Sequence, residues 1–274
     1  MRVLAIIPAR LGASRFSGKP LEKLLGMPMI GHCYFRAKIA LGQDNVWIAP
    51  CDDEIRSYSQ TIGAKAIDIS SKHTRATERT AEALESIELN AKLKFEIILM
   101  VQADEPLVIP DDLTCMLNSF SDPRVTIVNL MCKAQTRAHF YDKNNVNVVV
   151  NNAMDALDFS REPIPSDWKN LENIPQYIQT GVFAFRREAQ LHLNYLPETL
   201  HEIAESVDYE PGNRGRSKSA PIAFSQTEFS RLPIRLFSYT NRTGGIAYRS
   251  SSCCVMCISC LNGCRCHYWP VYKC

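Results

Sequence analysis

The sequence predicts an α/β fold: a mostly parallel, doubly wound sheet. Three observations carry that expectation. Strand-type and helix-type segments alternate through residues 1–150, the order that parallel strands joined by crossover helices require. One segment, Ile97–Val101 (IILMV), is apolar without a break, as a strand buried on both faces should be. The first apolar run, Val3–Ile7, passes directly into a loop of small and cationic residues. Such loops, at the carboxyl ends of strands, are where α/β sheets bind ligands.

In chain order, Val3–Ile7 is the first strand. A helix is expected from about Met29 through Ala37, then a strand at Asn45–Ala49. Asp53–Ile62 reads as a helix closed by Gly63, a residue suited to the left-handed C-terminal cap. Ala64–Ile69 is a short strand, and Thr77–Leu89 has apolar residues at helical spacing. After Ile97–Val101, the run Pro110-Asp111-Asp112 opens another helix. Val125–Met131, Val146–Val150 and Gly181–Phe185 are later strands, and Pro163, Pro165 and the polar stretch to Pro175 form a loop over the surface or the site.

The 274 residues suffice for one large α/β domain or two small ones. The net charge of +2 gives no basis for non-specific binding to nucleic acid or to an anionic membrane. No apolar run reaches the roughly eighteen residues that span a bilayer. Val3–Ile7 is too short, and Arg10 follows too soon, for a signal peptide. A cytoplasmic protein is expected. Cys33, Cys51, Cys115 and Cys132 are scattered as in a reduced compartment, whereas seven further cysteines crowd into 253–274.

Between Arg10, Arg15 and Lys19 lie Gly12, Ser14, Ser17 and Gly18. Small residues let the backbone approach a phosphate and turn its N–H groups toward it. Three fixed cations then neutralise a polyphosphate. A solvated basic turn is the bland alternative, but the buried strand before it and Gly-Lys-Pro-Leu at its end favour a nucleoside-triphosphate site. It is not a Walker loop, because the GxxxxGK[ST] spacing is absent. Asp104, in Val101-Gln102-Ala103-Asp104-Glu105-Pro106, falls on the same sheet edge. One carboxylate beside a triphosphate suits Mg²⁺; alone, it would be an ordinary turn acid. In His73–Arg79, Thr77 could cap the following helix with its N–H groups facing a ligand, though a capped surface helix fits as well. On the residues alone, Arg161 is a surface cation and Gln179 a strand-edge polar residue; together they are candidates for a second pocket.

Taken together, IIPARLGASRFSGKPL, HTRATERTAEAL, VQADEPL, FSREPIP and QTGVFAF resemble the 3-deoxy-manno-octulosonate cytidylyltransferases over about residues 1–208. The resemblance implies a nucleotide-diphospho-sugar transferase-like fold and a homodimer. It implies Mg²⁺-dependent transfer of CMP from CTP to a 2-keto sugar acid, with release of pyrophosphate, activating a sugar for lipopolysaccharide. By that likeness Arg10, Arg15 and Lys19 hold the CTP phosphates, with Arg15 and Lys19 stabilising the leaving pyrophosphate. Ala9, Thr74, Thr77 and Arg79 surround the cytidine, and Asp104 binds the metal. Gln102, Arg161, Gln179 and Glu202 meet the sugar acid. Gln179 stands where some members have His, Ala103 and Ala76 where relatives tend to have Gly, and Asn147 where they often have Lys, so the acceptor is either 3-deoxy-manno-octulosonate or an amino-substituted octulosonate.

After Asp208 the likeness ends. The family continues with a helix, a basic strand and a late acidic segment supplying a second metal-binding Asp; here the only acids after Asp208 are Glu210 and Glu228, and Pro211–Gly215 breaks any helix. Codons permitted for Tyr209–Lys218, read one nucleotide out of phase, can specify a helix, a Gly stop and a basic strand start. A frame-shifted translation is therefore expected, and a nucleotide sequence in which no single insertion restores the acidic motif would exclude it. The expected organisation is a cytidylyltransferase domain at 1–208 and a disordered Cys-rich tail at 209–274. Two alternatives follow: an impaired nucleotide-binding relic, or a transferase whose Cys254-x₂-Cys257-x₂-Cys260-x₃-Cys264 holds an iron–sulfur cluster or zinc.

Overall fold

A computed structural model describes residues 1–12, 17–166, 168, 175–207 and the backbone of 222–226. The strands are β1 Val3–Ala9, β2 Lys23–Leu24, β3 Met27–Pro28, β4 Val46–Pro50, β5 Lys65–Ala66 and β6 Ile97–Val101. They continue with β7 Ile127–Lys133, β8 Asn147–Val150, β9 Ala156–Ser160, β10 Tyr177–Arg186 and β11 Ile222–Gln226. The helices are α1 Met29–Leu41, α2 Asp53–Thr61, α3 Ala76–Ala91, α4 Pro110–Asn118, α5 Arg137–Phe140, α6 Arg187–Leu193 and α7 Leu200–Glu205.

The main sheet runs β11-β7-β10-β6-β1-β4-β5, with β8 and β9 attached beside β10. β1 pairs in parallel with both β4 and β6, β4 with β5, and β7 with β11. Period-two alternation explains the layers. Along β1, Ala5 and Ile7 pack with Ile30, Tyr34 and Ala37 of α1 and with Leu113 and Met116 of α4. Leu4 and Ile6 point the other way, onto Ala83, Leu84 and Ile87 of α3. Ile97, Leu99 and Val101 of β6 join the first layer, and Ile98 the second. Both faces are therefore covered, and every residue of β6 is buried, as its unbroken apolar composition predicts.

Several expectations change. The later strand expected at Gly181–Phe185 is longer, Tyr177–Arg186, and antiparallel to β6 and β7. A continuous apolar run reads alike in either direction, so the sequence held no signal for this. α1 and α3 extend past their expected ends, because tertiary packing carries the helix beyond its most regular stretch. Ala64–Ile69 keeps only Lys65–Ala66 as strand, although Ile67 and Ile69 still donate to Ile48 O and Pro50 O. β11 lies beyond the boundary expected at residue 208 and adds an edge strand to the sheet. The remainder of the expected tail, with its cysteines, lies outside the described residues, as does most of the loop between Pro165 and Pro175. Among the described residues no helix is long and apolar enough to cross a membrane.

Candidate active site

The carboxyl ends of β1, β4 and β6 lie side by side, because β1 pairs in parallel with both neighbours. Three loops leave that edge together. The loop after β1 is closed on itself by Gly18 N–H donating to Leu11 O at 3.0 Å. Gly18 has φ +79°, a left-handed conformation that glycine adopts without a Cβ penalty. It delivers Lys19 to the start of a single 3₁₀ turn, and there Lys19 Nζ meets Asp104 Oδ2 at 2.7 Å. A cation from residue 19 and an acid from residue 104 thus converge, with side chains 23% and 38% exposed and hence open to a ligand.

The loop after β4 supplies a residue that sequence reasoning missed. Asp52 stands just before α2, where a carboxylate ordinarily caps its own helix. It makes no such cap; Oδ2 accepts from Leu11 N–H at 2.7 Å. Cys51 N–H donates to Ala9 O at 3.1 Å beside it. Asp52 therefore anchors the first residue after Arg10. The signal was available in principle: an acid at the end of a strand neighbouring β1. Burial pushes the Cys51 thiol up; among nearby charges Arg79 and Arg10 pull it down and Asp52 and Glu82 push it up, so all four act on this corner.

The segment before α3 reaches the same corner, with its polar groups engaged differently from expectation. Arg75, not Thr77, occupies the N-cap position, and the carboxylate of Glu78 accepts from the N–H groups of Thr74 and Arg75, both at 3.2 Å. Thr77 is buried, and its carbonyl accepts from Gln190 Nε2 at 2.8 Å. Arg79 is buried and donates to His73 O and Thr74 O, so it shapes the segment from beneath, while Thr74 is exposed. Arg75 is paired with Glu198.

At the end of β6, Gln102 N–H donates to Gly181 O at 3.0 Å, which sets Gln102 against β10. Gln179 N–H donates to Val146 O at 2.8 Å, and the β10–β7 register shifts between Gln179 and Phe183. Burial first, then the charges of Asp104 and Glu105, drive the Cys33 thiol well above its ordinary value; this inert thiol lies under the acid pair. Arg161 lies apart from the Lys19–Asp104 pair in the contacts it makes. Its guanidinium donates to Glu205 O, Lys143 O, Asn144 O and Ser206 O, and its N–H to Glu205 Oε2. Glu202 is buried, its carboxylate accepting from Thr199 N–H at 2.9 Å at the start of α7. Arg10 flanks Cys51, while Arg15 lies outside the described residues.

The donor set fits one divalent cation held partly by substrate. Among the described residues no cluster of three or more His, Cys, Asp or Glu could cage a metal. Asp104 is a single part-exposed carboxylate, of the kind that could share a divalent cation with a ligand's own oxygens.

A family model described as Cytidylyltransferase matches residues 4–216. The chain is 36% identical over 207 residues to a 3-deoxy-manno-octulosonate cytidylyltransferase of Escherichia coli, covering 76% of this chain and 81% of that one. It is 32% identical over 234 residues to an 8-amino-3,8-dideoxy-manno-octulosonate cytidylyltransferase of Shewanella baltica OS155, covering 83% and 93%. A solved CMP:2-keto-3-deoxy-manno-octonic acid synthetase complexed with CTP superposes with TM-score 0.72 at 33% identity, over 83% of this chain and 90% of that chain. A family model spanning most of the chain, and relatives this similar over most of their own length, agree with the basic loop and facing acid; the chain belongs to the cytidylyltransferase family.

Proposed function

We propose that this chain transfers CMP from CTP to a 2-keto-3-deoxy sugar acid, activating it for lipopolysaccharide assembly in the cytoplasm, and that it works as a homodimer with Mg²⁺. One observation carries the reading: the cationic loop after β1 and the acid ending β6 meet at 2.7 Å through Lys19 and Asp104. The named relatives act on octulosonates, and the similar solved structure holds CTP.

In the reaction the anomeric hydroxyl oxygen of the acid bonds to the α-phosphorus of CTP. The bond from that phosphorus to the bridging oxygen breaks, pyrophosphate leaves in line, and the hydroxyl proton passes to solvent. Little covalent chemistry falls to the protein, so positioning and charge stabilisation supply the rate. Mg²⁺ would be held by Asp104 and would offset repulsion between the triphosphate and the acid's carboxylate. Arg10, Arg15 and Lys19 bind phosphate oxygens, and Lys19 releases Asp104 as it does so. Asp52 keeps the loop's entrance shaped for them. Ala9 and the Thr74–Arg79 segment surround the cytidine, the segment's shape being fixed by Arg79 and Glu78. Gln102 and Gln179 face the acid, Arg161, its guanidinium held on four backbone carbonyls, contributes its positive charge toward the acid's carboxylate, and Glu202 supports α7 beside it.

The test is pyrophosphate release from CTP, Mg²⁺ and either the octulosonate or its 8-amino analogue. Release with CTP and not with other triphosphates is expected. CTP binding without release on either acid would overturn transfer and establish the nucleotide-binding relic instead.

A further inference from the structure

At the middle of β10 the ladder to β7 breaks, and side chains take over its hydrogen bonds. Asn129, fully buried in β7, donates through Nδ2 to Thr180 O at 3.1 Å and Val182 O at 2.9 Å. Thr180 Oγ1 donates to Leu130 O at 2.6 Å. Gly181 O accepts from Gln102 N–H at 3.0 Å. Gly181 N–H in turn donates to Glu105 Oε1 at 2.7 Å. Glu105 is only 5% exposed, and its own N–H donates to Gln102 O at 3.1 Å.

A bulge leaves backbone groups unpaired, and burying them unsatisfied costs about 1–3 kcal/mol each. The acceptor here belongs to the residue next to Asp104, so the bond also ties the turn carrying Asp104 to β10. The joint therefore has a positional use. Its two sides are the turn carrying Gln102 and Asp104, and the strand carrying Gln179. Gly181 permits their close approach: a Cβ there would lie 2.9 Å from Gln102 Oε1 and 3.0 Å from its Cβ and Cδ.

We propose that Glu105 is a positioning residue: by holding Gly181 N–H it fixes the distance between the metal-side acid Asp104 and the acceptor-side strand of Gln179. This rests on the reading above that Asp104 serves the metal and Gln102 and Gln179 the sugar acid. Glu105 itself touches neither substrate. Its loss should separate acceptor from nucleotide without weakening the nucleotide's own site.

The experiment compares wild type, Glu105→Ala and Glu105→Gln. It measures CTP affinity by calorimetry with Mg²⁺, kcat and KM for the sugar acid, and exchange protection of the Gly181 amide. In Glu105→Ala, protection of Gly181 should fall and kcat/KM for the acid drop at least about tenfold, with CTP affinity within about threefold, as loss of a charge-assisted bond implies. Glu105→Gln, whose amide oxygen still accepts, should recover protection and most of the rate. Unchanged kcat/KM in a folded Glu105→Ala chain would overturn the proposal and leave a structural bond only. So would a Glu105→Gln chain that protects Gly181 yet remains as slow as Glu105→Ala. If Glu105→Ala does not fold, Glu105→Asp decides: its shorter side chain should lose Gly181 protection and slow the acid's kinetics while sparing CTP binding, and unchanged kinetics with lost protection overturns the proposal. A wild type that binds no CTP or releases no pyrophosphate overturns the proposed function instead, while Gly181 protection still reports whether the joint exists.

Discussion

Glu88 lies in α3, 99 residues from Arg187, and three hydrogen bonds join the two side chains. Arg187 Nε donates to both Glu88 oxygens at 2.9 and 3.1 Å, and Nη2 adds the third bond at 2.8 Å. Lys94 Nζ at 2.8 Å and Phe95 N–H at 3.0 Å complete the set around a side chain 2% exposed. Burial pushes the carboxyl up, but the bonds from Arg187, Lys94 and Phe95 override it and hold it at about 2, against an ordinary 4.5. A carboxylate whose folded value is depressed adds stability above its unfolded value and loses it as pH falls through the folded one. Linkage puts that contribution at about 3 kcal/mol at pH 7, about 2.5 at pH 4 and about 1.4 at pH 3. This agrees with the roughly 3–5 kcal/mol lost when one partner of a buried pair is removed. Glu88→Gln should therefore lower Tm by about 6–12 °C at pH 7, given roughly 2–4 °C per kcal/mol for a domain of this size. Urea unfolding at pH 7, 4 and 3 measures the decline. A loss below about 1 kcal/mol at pH 7, or one of equal size at pH 3 and pH 7, refutes the reasoning. Glu88→Gln with Arg187→Gln should lose less than the sum of the two by about 1–3 kcal/mol, since Arg187 left alone is the larger liability.

Further outcomes follow from the loop after β1 and from its anchor Asp52. Lys19→Met removes the cation from Asp104, so Mn²⁺ binding without nucleotide, read by electron paramagnetic resonance, should tighten about two- to fivefold, the scale of a part-exposed pair. Pyrophosphate release should fall at least about hundredfold in the same variant, because the charge proposed to face the leaving phosphates is lost. Asp52→Ala should raise KM for CTP about ten- to hundredfold through loss of the charge-assisted bond to Leu11, with little change in Tm. Asp52→Asn should recover most of that loss; an unchanged KM in Asp52→Ala would remove the anchor role.

The fold was legible wherever burial wrote itself into composition. The unbroken apolar run of Ile97–Val101 and the alternation of strands with amphipathic helices fixed the central parallel strands, their helices and the edge on which the site sits. Lys19 and Asp104 could be assigned to one edge because parallel strands place all their carboxyl ends together. The direction of β10 was not legible, since apolar residues fit parallel and antiparallel pairing alike. Nor was the engagement of Thr77, Arg79, Arg161 and Glu202 with backbone groups, because residue type does not reveal which donors a fold has already used.

The sequence by itself determined the layered sheet, the cationic loop and the acid across from it, because hydrophobic periodicity and local turn chemistry act over a few residues. Only the tertiary structure decided that Asp52 leaves its own helix to hold Leu11, that Glu105 closes the bulge at Gly181, and that Glu88 clamps Arg187. Those contacts join segments 41, 76 and 99 residues apart. Their physical cause is that buried backbone and charged groups must find partners wherever packing brings one, and no local pattern records that choice.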